Sequence, residues 1–290
     1  MRFPRPPTWR HTRGSSPSGE TRWISATARG LRQYRVLAAR LVKVWRAVAV
    51  TVLALPGGAA LAADDPPSFF DPVVTIAPGI TREVDVLFDH VRTSSSRLSQ
   101  PSLRLQYPVR PWLQLALEMP VVLLDRDTES SATAAGDLLL TAQALAWAPS
   151  DRPVEIDLGL ELTLPTGDPD LLGRSTALRP FAAAGIKLGR FDVLGSLSYQ
   201  WIVAGPLAGT EVFQTTVAVG YPMRWITPFT ELTLTKPVRG PPDLQPQVAV
   251  VPGFEIFLSR SITLSIGVQL PLGQARVFDQ RILGFLKLPF

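Results

Sequence analysis

Charged side chains occur at alternate positions within short segments that are otherwise apolar, and their spacing indicates binding or selectivity chemistry. Asp157 and Glu161 lie four residues apart, so both project from the same face of an extended strand. Arg179 and Lys187 occupy the polar phase of the next segment, where we expect Glu161 near Arg179 and Asp157 near Lys187. Such charges either pair in a structural ladder between strands or line a polar track for solute. Charged residues at the polar positions of all these segments are the candidate selectivity residues: Arg104, Glu118, Asp137, Asp157, Glu161, Arg179, Lys187, Glu231 and Glu255.

The residue types present give little support for catalysis or metal binding. A serine hydrolase needs a His base beside its nucleophile. After residue 62 the chain contains one His, His90, with no Ser two positions further on. The chain has no Cys, so a metal ion would have only carboxylates and this one His as ligands. We therefore predict no enzymatic activity, no metal and no cofactor.

Short β-strands are the elements that must position these charges. Between residues 83 and 290, about twelve segments alternate apolar and polar residues, most near the ~9 to 11 residues of a tilted membrane strand. No apolar run reaches the ~20 residues of a spanning helix. Backbone polar groups in lipid must be paired internally. The pattern therefore predicts an all-β fold, a transmembrane antiparallel up-and-down barrel of about 12 strands.

Connections between the predicted strands alternate in length, which is typical of a membrane barrel. The short connections are 110–111, 148–153, 189–190, 222–224 and 259–260, and the longer ones are 93–101, 124–136, 165–177, 203–211, 236–246 and 271–279. An even strand number then places both termini on the periplasmic side. Aromatic residues cluster beside the short connections, as in an interfacial girdle: Tyr107, Trp112, Trp147, Phe191, Tyr221, Trp225 and Phe290. A soluble β-sandwich or ligand-binding barrel would also alternate, but gives no reason for this parity of loop lengths.

The first 62 residues have the features of an export signal. A basic stretch ends at Lys43 and Arg46, an apolar core spans 47–55, and 60–62 is a small-x-small cleavage site. Either the signal is unusually extended or translation starts downstream of Met1. The full chain has 29 Lys and Arg against 24 Asp and Glu, but residues 1–62 hold 11 of the basic residues and one acidic residue. The remainder carries a net charge of −5, which argues against a nucleic-acid partner. The predicted organisation is a signal peptide over 1–62, a periplasmic segment over 63–82 and a barrel over 83–290.

Phe290 closes the alternating run of 282–290, and a terminal aromatic on such a run resembles the assembly signal of outer-membrane barrels. Four further motifs, in order, resemble a family of outer-membrane transporters linked to the meta-pathway of phenol degradation. They are Ala77-Pro78-Gly79 before Glu83, Gly136-Asp137 before Leu138 and Leu140, Leu162-Thr163-Leu164-Pro165-Thr166-Gly167-Asp168, and Thr227-Pro228-Phe229-Thr230-Glu231. The resemblance implies a barrel that transports small, aromatic compounds.

Two functions follow as alternatives. The first is a narrow outer-membrane channel for small, aromatic or hydrophobic solutes, with inward charges setting selectivity. The second is a sealed structural or surface-interaction barrel without transport activity. Both predict an integral outer-membrane protein with lipid and the barrel-assembly machinery as partners. The solute, the openness of the lumen and the oligomeric state are left open by the sequence.

Overall fold

The computed structural model describes residues 69–126, 131–149, 154–168, 174–241, 244–259, 261–273 and 277–290. The predicted signal peptide and its cleavage site lie outside these ranges. Within them, no helix is long and apolar enough to cross a membrane.

The described residues form thirteen antiparallel β-strands. They are β1 (Glu83–Arg92), β2 (Ser96–Arg110), β3 (Leu113–Arg126), β4 (Ala132–Ala135), β5 (Leu138–Trp147), β6 (Val154–Leu164), β7 (Thr176–Leu188), β8 (Phe191–Ala204), β9 (Glu211–Gly220), β10 (Ile226–Arg239), β11 (Gln247–Phe257), β12 (Thr263–Leu272) and β13 (Gln280–Pro289).

Strand pairing closes the sheet into a barrel. β1 pairs with both β13 and β2, β2 pairs with β3, and β3 pairs with β5, so that every strand except β4 has two neighbours in a ring. Closure leaves no unpaired edge among these twelve strands. The predicted antiparallel barrel of about 12 strands is confirmed.

Burial along the strands is the reverse of that in a soluble protein. In β6, Asp157 is 0% exposed whereas its neighbour Leu158 is 54% exposed. In β10, Glu231 is 0% exposed and Leu232 is 51% exposed. In these strands the polar side chains therefore face the interior and the apolar side chains cover the outside. An outer surface of this kind requires lipid around the strands.

The short strand β4 pairs with the outer end of β3, at residues that the sequence predicts to be a loop. β3 extends to Arg126, beyond the residues that β5 can pair. Ala132–Ala135 covers this overhang by pairing with residues 121–124. The chain then passes so close to Pro120 that a Cβ on Gly136 would lie 2.8 Å from its ring. The extra strand thus completes the hydrogen bonding of β3 where β5 is too short.

The connection between β1 and β2 is also shorter than predicted. Pro101 is the expected strand boundary because proline lacks an N–H, yet β2 begins at Ser96 and only 93–95 lie between the strands. The β2–β3 ladder is interrupted at Gln100 and Pro101 and resumes in the same register at Ser102, so the proline lies where β3 does not need its N–H. The prediction of a long loop over 93–101 is therefore wrong.

The two chain ends of the barrel meet beside the short turns. The guanidinium of Arg82 lies 4.8 Å from the ring centroid of Phe290 and 5.3 Å from that of Tyr107. The Phe290 N–H donates to the Arg82 carbonyl at 3.4 Å. These contacts join the start of β1 to the end of β13. The exposed aromatic residues Trp112, Trp147, Phe191 and Trp225 lie at the same end of the strands.

Candidate functional site

Residues 69–82 precede β1 and lie inside the barrel, near the end with the short turns. We refer to Phe69–Arg82 as the N-terminal segment. Its backbone N–H groups donate hydrogen bonds to lumen-facing side chains of β3, β6, β8, β10 and β11. The sequence predicts a periplasmic segment over 63–82, whereas residues 69–82 of that range lie in the lumen. The segment therefore narrows the passage through the barrel.

Glu231, in the half of β10 nearer the short turn before it, binds the centre of this segment. Its carboxylate accepts hydrogen bonds from the N–H groups of Val73 at 2.8 Å, Val74 at 3.1 Å and Thr75 at 2.6 Å. The Thr75 hydroxyl donates a fourth at 2.7 Å. Three successive N–H groups that converge on one anion form a concave anion site of the kind called a nest. These donors compensate the burial of the carboxylate.

A second anchor is an ionic cluster at Asp71. Its carboxylate lies 2.6 Å from the Lys287 ammonium, which also contacts Glu83 at 3.2 Å. The Asp71 N–H donates to Glu255 at 3.2 Å, and its carbonyl accepts from the Ser265 hydroxyl at 3.0 Å. Lys287 thus balances two carboxylates, and the contacts of Asp71 as a whole attach the segment to β11, β12 and β13.

A third anchor lies at Gly79, on the opposite wall. Its N–H donates to Asp157 at 2.8 Å, and the Gln143 amide bridges Asp157 at 2.7 Å and the Gly79 carbonyl at 3.2 Å. Gly79 has a φ of 129°, a conformation that favours glycine. Two residues on, the Thr81 N–H donates to the Gln114 side chain at 2.6 Å. The three anchors together attach the segment to strands on both sides of the lumen, from β13 to β3.

Two phenylalanines fix the beginning of the described segment through apolar contacts. The rings of Phe70 and Phe229 stack with centroids 5.4 Å apart. Glycines in the wall make room for them, because a Cβ on Gly185 would lie 3.0 Å from the Phe69 ring and one on Gly220 would lie 2.6 Å from the Phe70 ring. The buried cluster consists of Phe69, Phe70, Leu194, Ala218 and Phe229.

Ion pairs between strands line the rest of the lumen. They join Arg104 to Glu118 at 2.8 Å, Arg179 to Glu161 at 2.6 Å and Arg281 to Asp89 at 2.6 Å. The arginine side chains are 30–37% exposed, so water reaches each pair from the lumen. Removing one partner of such a pair costs less than in a dry pair, because water can solvate the charge that remains. Each arginine also retains exposed surface that a solute can contact.

The structure brings together most of the residues that the sequence proposes, with two differences. Glu161 and Arg179 form the expected contact, but Lys187 lies 3.2 Å from Asp192 across the β7–β8 hairpin rather than beside Asp157. Lys187 is one residue from the end of β7, directly opposite Asp192, whereas Asp157 pairs with a position four residues away in β7. Asp137 lies outside the strands.

Asp137 caps a loop at the outer end of the barrel. Its carboxylate accepts the Gly167 N–H at 2.7 Å. Gly167 packs so closely there that a Cβ on it would lie 2.8 Å from the Asp137 carboxylate. Asp137 therefore has a structural contact in the loop instead of the strand position that the sequence analysis gives it. The remaining candidates lie in the lumen: Arg104, Glu118, Asp157, Glu161, Arg179, Lys187, Glu231 and Glu255.

A cavity of ≈ 210 Å³ borders the N-terminal segment. Its wall includes Arg104 and Arg179, the amides of Gln106 and Gln214, and the ring of Phe285. A water molecule occupies about 30 Å³ of liquid, so the cavity holds several waters or one small organic solute. Two guanidinium groups, one aromatic ring and the backbone of the segment therefore face the same cavity.

The N-terminal segment does not stand out in the sequence as part of the site. The range 69–76 contains two aromatic residues and several branched apolar ones, a composition that a solvated periplasmic linker would not need. Four prolines between residues 66 and 78 obscure the signal because they prevent any regular strand or helix pattern. The apolar content before the first strand is the cue that would have found it.

Comparisons with known proteins are consistent with the barrel. No protein-family model and no curated protein matches the chain. Among solved structures, the COG4313 outer membrane channel from Pseudomonas putida F1 superposes with a TM-score of 0.61 at 15% identity, over 76% of this chain and 100% of that one. The NanC porin matches with a TM-score of 0.52 at 11% identity, over 71% of this chain and 98% of that one. The KdgM porin matches with a TM-score of 0.50 at 11% identity, over 71% and 99%. At these identities the likeness establishes the fold of outer-membrane barrels.

Proposed function

We propose that this chain is an outer-membrane channel for small solutes, in which the N-terminal segment forms the constriction. The observation that carries the proposal is the cavity of ≈ 210 Å³ between charged lumenal walls and the segment. A barrel that served only as a scaffold would have no need for water-accessible arginines beside an internal cavity. The structural similarity to outer-membrane channels and porins supports the same function.

The location follows from the surface of the barrel. Exposed leucines cover the strands, so the barrel requires a lipid environment. We assign the short turns and the exposed aromatic residues to the periplasmic face, as is usual in outer-membrane barrels. The N-terminal segment then lies at the periplasmic end of the lumen. Export through the predicted signal peptide and insertion by the barrel-assembly machinery through Phe290 are parts of the same proposal.

The chemistry of the cavity indicates the class of solute. Arg104 and Arg179 attract carboxylates, while Leu87 and Phe285 offer apolar contact. Small aromatic carboxylates combine the two properties, and phenols share the apolar ring. We propose such compounds as solutes. The inward charges that do not bind the segment then set selectivity, foremost Glu161, Glu118 and the two arginines.

A sealed barrel is the second candidate, and the anchoring of the segment favours it. Glu231, Glu255 and Asp157 are each at most 1% exposed and each binds the segment. If these contacts never open, no continuous aqueous path crosses the lumen. The barrel would then act through its outer loops alone.

Conductance of the purified mature chain in planar bilayers separates the two candidates. A channel gives discrete current steps, and the proposed solutes predict that benzoate reduces the current more strongly than benzylamine of the same size. A sealed barrel gives no steps at any salt concentration. Steps that benzoate and benzylamine block equally would support a channel but contradict the proposed solute class.

A further inference from the structure

Two arginines lie directly opposite each other at the outer end of β1 and β2. Arg92 pairs with Arg97 in the antiparallel register, and both are exposed. Arg92 shares the outward phase of β1 with Phe88, which is 45% exposed. The two guanidinium groups therefore belong to the outer surface of the barrel and not to the lumen.

These two cations have no ionic partner among the described residues. Asp125 lies opposite Arg97 on β3, and the Asp279 N–H donates to the Arg92 carbonyl, yet neither carboxylate approaches within 4.0 Å of a guanidinium nitrogen. Like charges directly opposite on neighbouring strands are destabilising. A bound anion would relieve this repulsion.

The height of the arginine pair coincides with the outer membrane surface. Arg82 contacts the aromatic residues at the periplasmic boundary, and Arg92 follows it by ten positions along β1. Ten strand residues span about 33 Å, or about 25 Å along the membrane normal at a tilt near 40°. The apolar band of an outer-membrane barrel is about 25 Å tall. Arg92 and Arg97 thus lie at the level of the lipid headgroups in the outer leaflet.

The surface just below the pair changes from polar to apolar. The His90 ring nitrogen Nδ1 is 2.8 Å from the Ser99 hydroxyl, and these two residues form the next outward pair down the strands. The His90 ring stacks on Phe88, with centroids 6.3 Å apart. Exposed Leu123 of β3 lies opposite Ser99. Polar donors at the top and an apolar wall beneath match a lipid with an anionic headgroup above its acyl chains.

We propose that Arg92 and Arg97 bind a phosphate group of a phosphorylated glycolipid in the outer leaflet, that is, of lipopolysaccharide. Arginine suits this role because its planar guanidinium donates two parallel hydrogen bonds to phosphate oxygens. The site is distinct from the lumen and does not depend on transport. It fixes the barrel's β1–β3 side against a specific lipid.

Binding of lipopolysaccharide to the full chain in detergent tests this proposal. The probes are rough lipopolysaccharide, the same material after enzymatic dephosphorylation, and inorganic phosphate. The test variant is Arg92→Gln with Arg97→Gln. The matched control, Arg110→Gln with Arg224→Gln, removes the same charge from exposed positions at the other end of the barrel. A heat-modifiable band on gels establishes that each variant is folded.

We expect the test variant to bind phosphorylated lipopolysaccharide at least tenfold more weakly than the control does, because two charge-assisted contacts are lost. Dephosphorylation should weaken binding to the unmodified protein and leave the test variant unaffected. Replacement of both arginines by Lys should restore part of the affinity. Equal binding by the test and control variants overturns the proposal, as does equal binding of phosphorylated and dephosphorylated lipid. Binding of inorganic phosphate without lipid binding would overturn the assignment to a lipid.

Discussion

Replacement of Glu231 by Ala should release the N-terminal segment from the lumen. The carboxylate accepts four hydrogen bonds from residues 73–75. A hydrogen bond to a charged group contributes about 1.5 to 3 kcal/mol. The net loss is smaller than the sum because the variant no longer buries a charge and because water from the neighbouring cavity can reach the freed N–H groups. We expect the segment's binding to weaken by about 2 to 4 kcal/mol, which is about 30- to 700-fold in the equilibrium.

Thiol labelling measures this release directly, since the chain contains no native Cys. Val73→Cys places a thiol on the segment where the native side chain packs against the buried aromatic cluster. Its rate of reaction with a maleimide reports the fraction of time that the segment is free. In the Glu231→Ala background this rate should rise by the factor given above, and single-channel conductance should increase with it.

Thr233→Val is the matched control on the same strand. Thr233 is two residues from Glu231 on the same face, is 3% exposed, and its hydroxyl has no hydrogen-bond partner among the described residues. Its replacement should leave labelling and conductance unchanged. Equal labelling rates in the Glu231→Ala and Thr233→Val proteins, with both folded, would refute the reasoning that this carboxylate holds the segment.

Three further predictions concern the wall of the barrel and its assembly. Glu161→Gln removes the carboxylate that lies 2.6 Å from the Arg179 guanidinium, so the reversal potential should shift toward anion selectivity. The free energy of unfolding should fall by only about 1 kcal/mol, because water reaches the pair. Gly220→Ala should displace the aromatic ring that would lie 2.6 Å from its Cβ and speed maleimide labelling of the segment, whereas Gly195→Ala, with its nearest atom at 3.8 Å, should not. Deletion of Phe290 should block insertion but not secretion; a heat-modifiable band in the outer membrane of the deletion strain would contradict the assembly role.

The barrel could be predicted because the outward side chains carry a strong period-2 signal. Leucines face lipid and must recur at every second position, as in β6, where Leu158 and Leu160 are exposed and Asp157 is buried. The same alternation gives the inward phase, and hence the contact between Glu161 and Arg179. The face of each strand that contacts lipid can therefore be predicted from the sequence of that strand alone.

Features that depend on distant contacts could not be predicted in this way. The partner of Lys187 is set by the register of the β7–β8 hairpin, and alternation alone does not fix register. β4 exists because β3 is longer than β5, a property of two strands together. The N-terminal segment has no regular backbone period at all, and its position depends on distant side chains, the farthest being Lys287, which is 216 residues from Asp71. Sequence patterns therefore predict the strands that form the wall of the lumen, but not the N-terminal segment inside it.

A reversible disulfide between the segment and the wall tests the central claim most directly. A Cβ on Gly267 would lie 2.7 Å from a Val73 methyl carbon, which is one bond from the Val73 Cβ. The two Cβ atoms are therefore close enough for the separation of about 3.5 to 4.5 Å that a disulfide requires. Val73→Cys with Gly267→Cys should therefore lock the segment in the lumen when oxidised. If the segment forms the constriction of a channel, adding a reductant to a single oxidised channel should increase its conductance, and the Val73→Cys protein alone should not respond. An identical current before and after reduction of the disulfide, or no current in either state, would contradict the account.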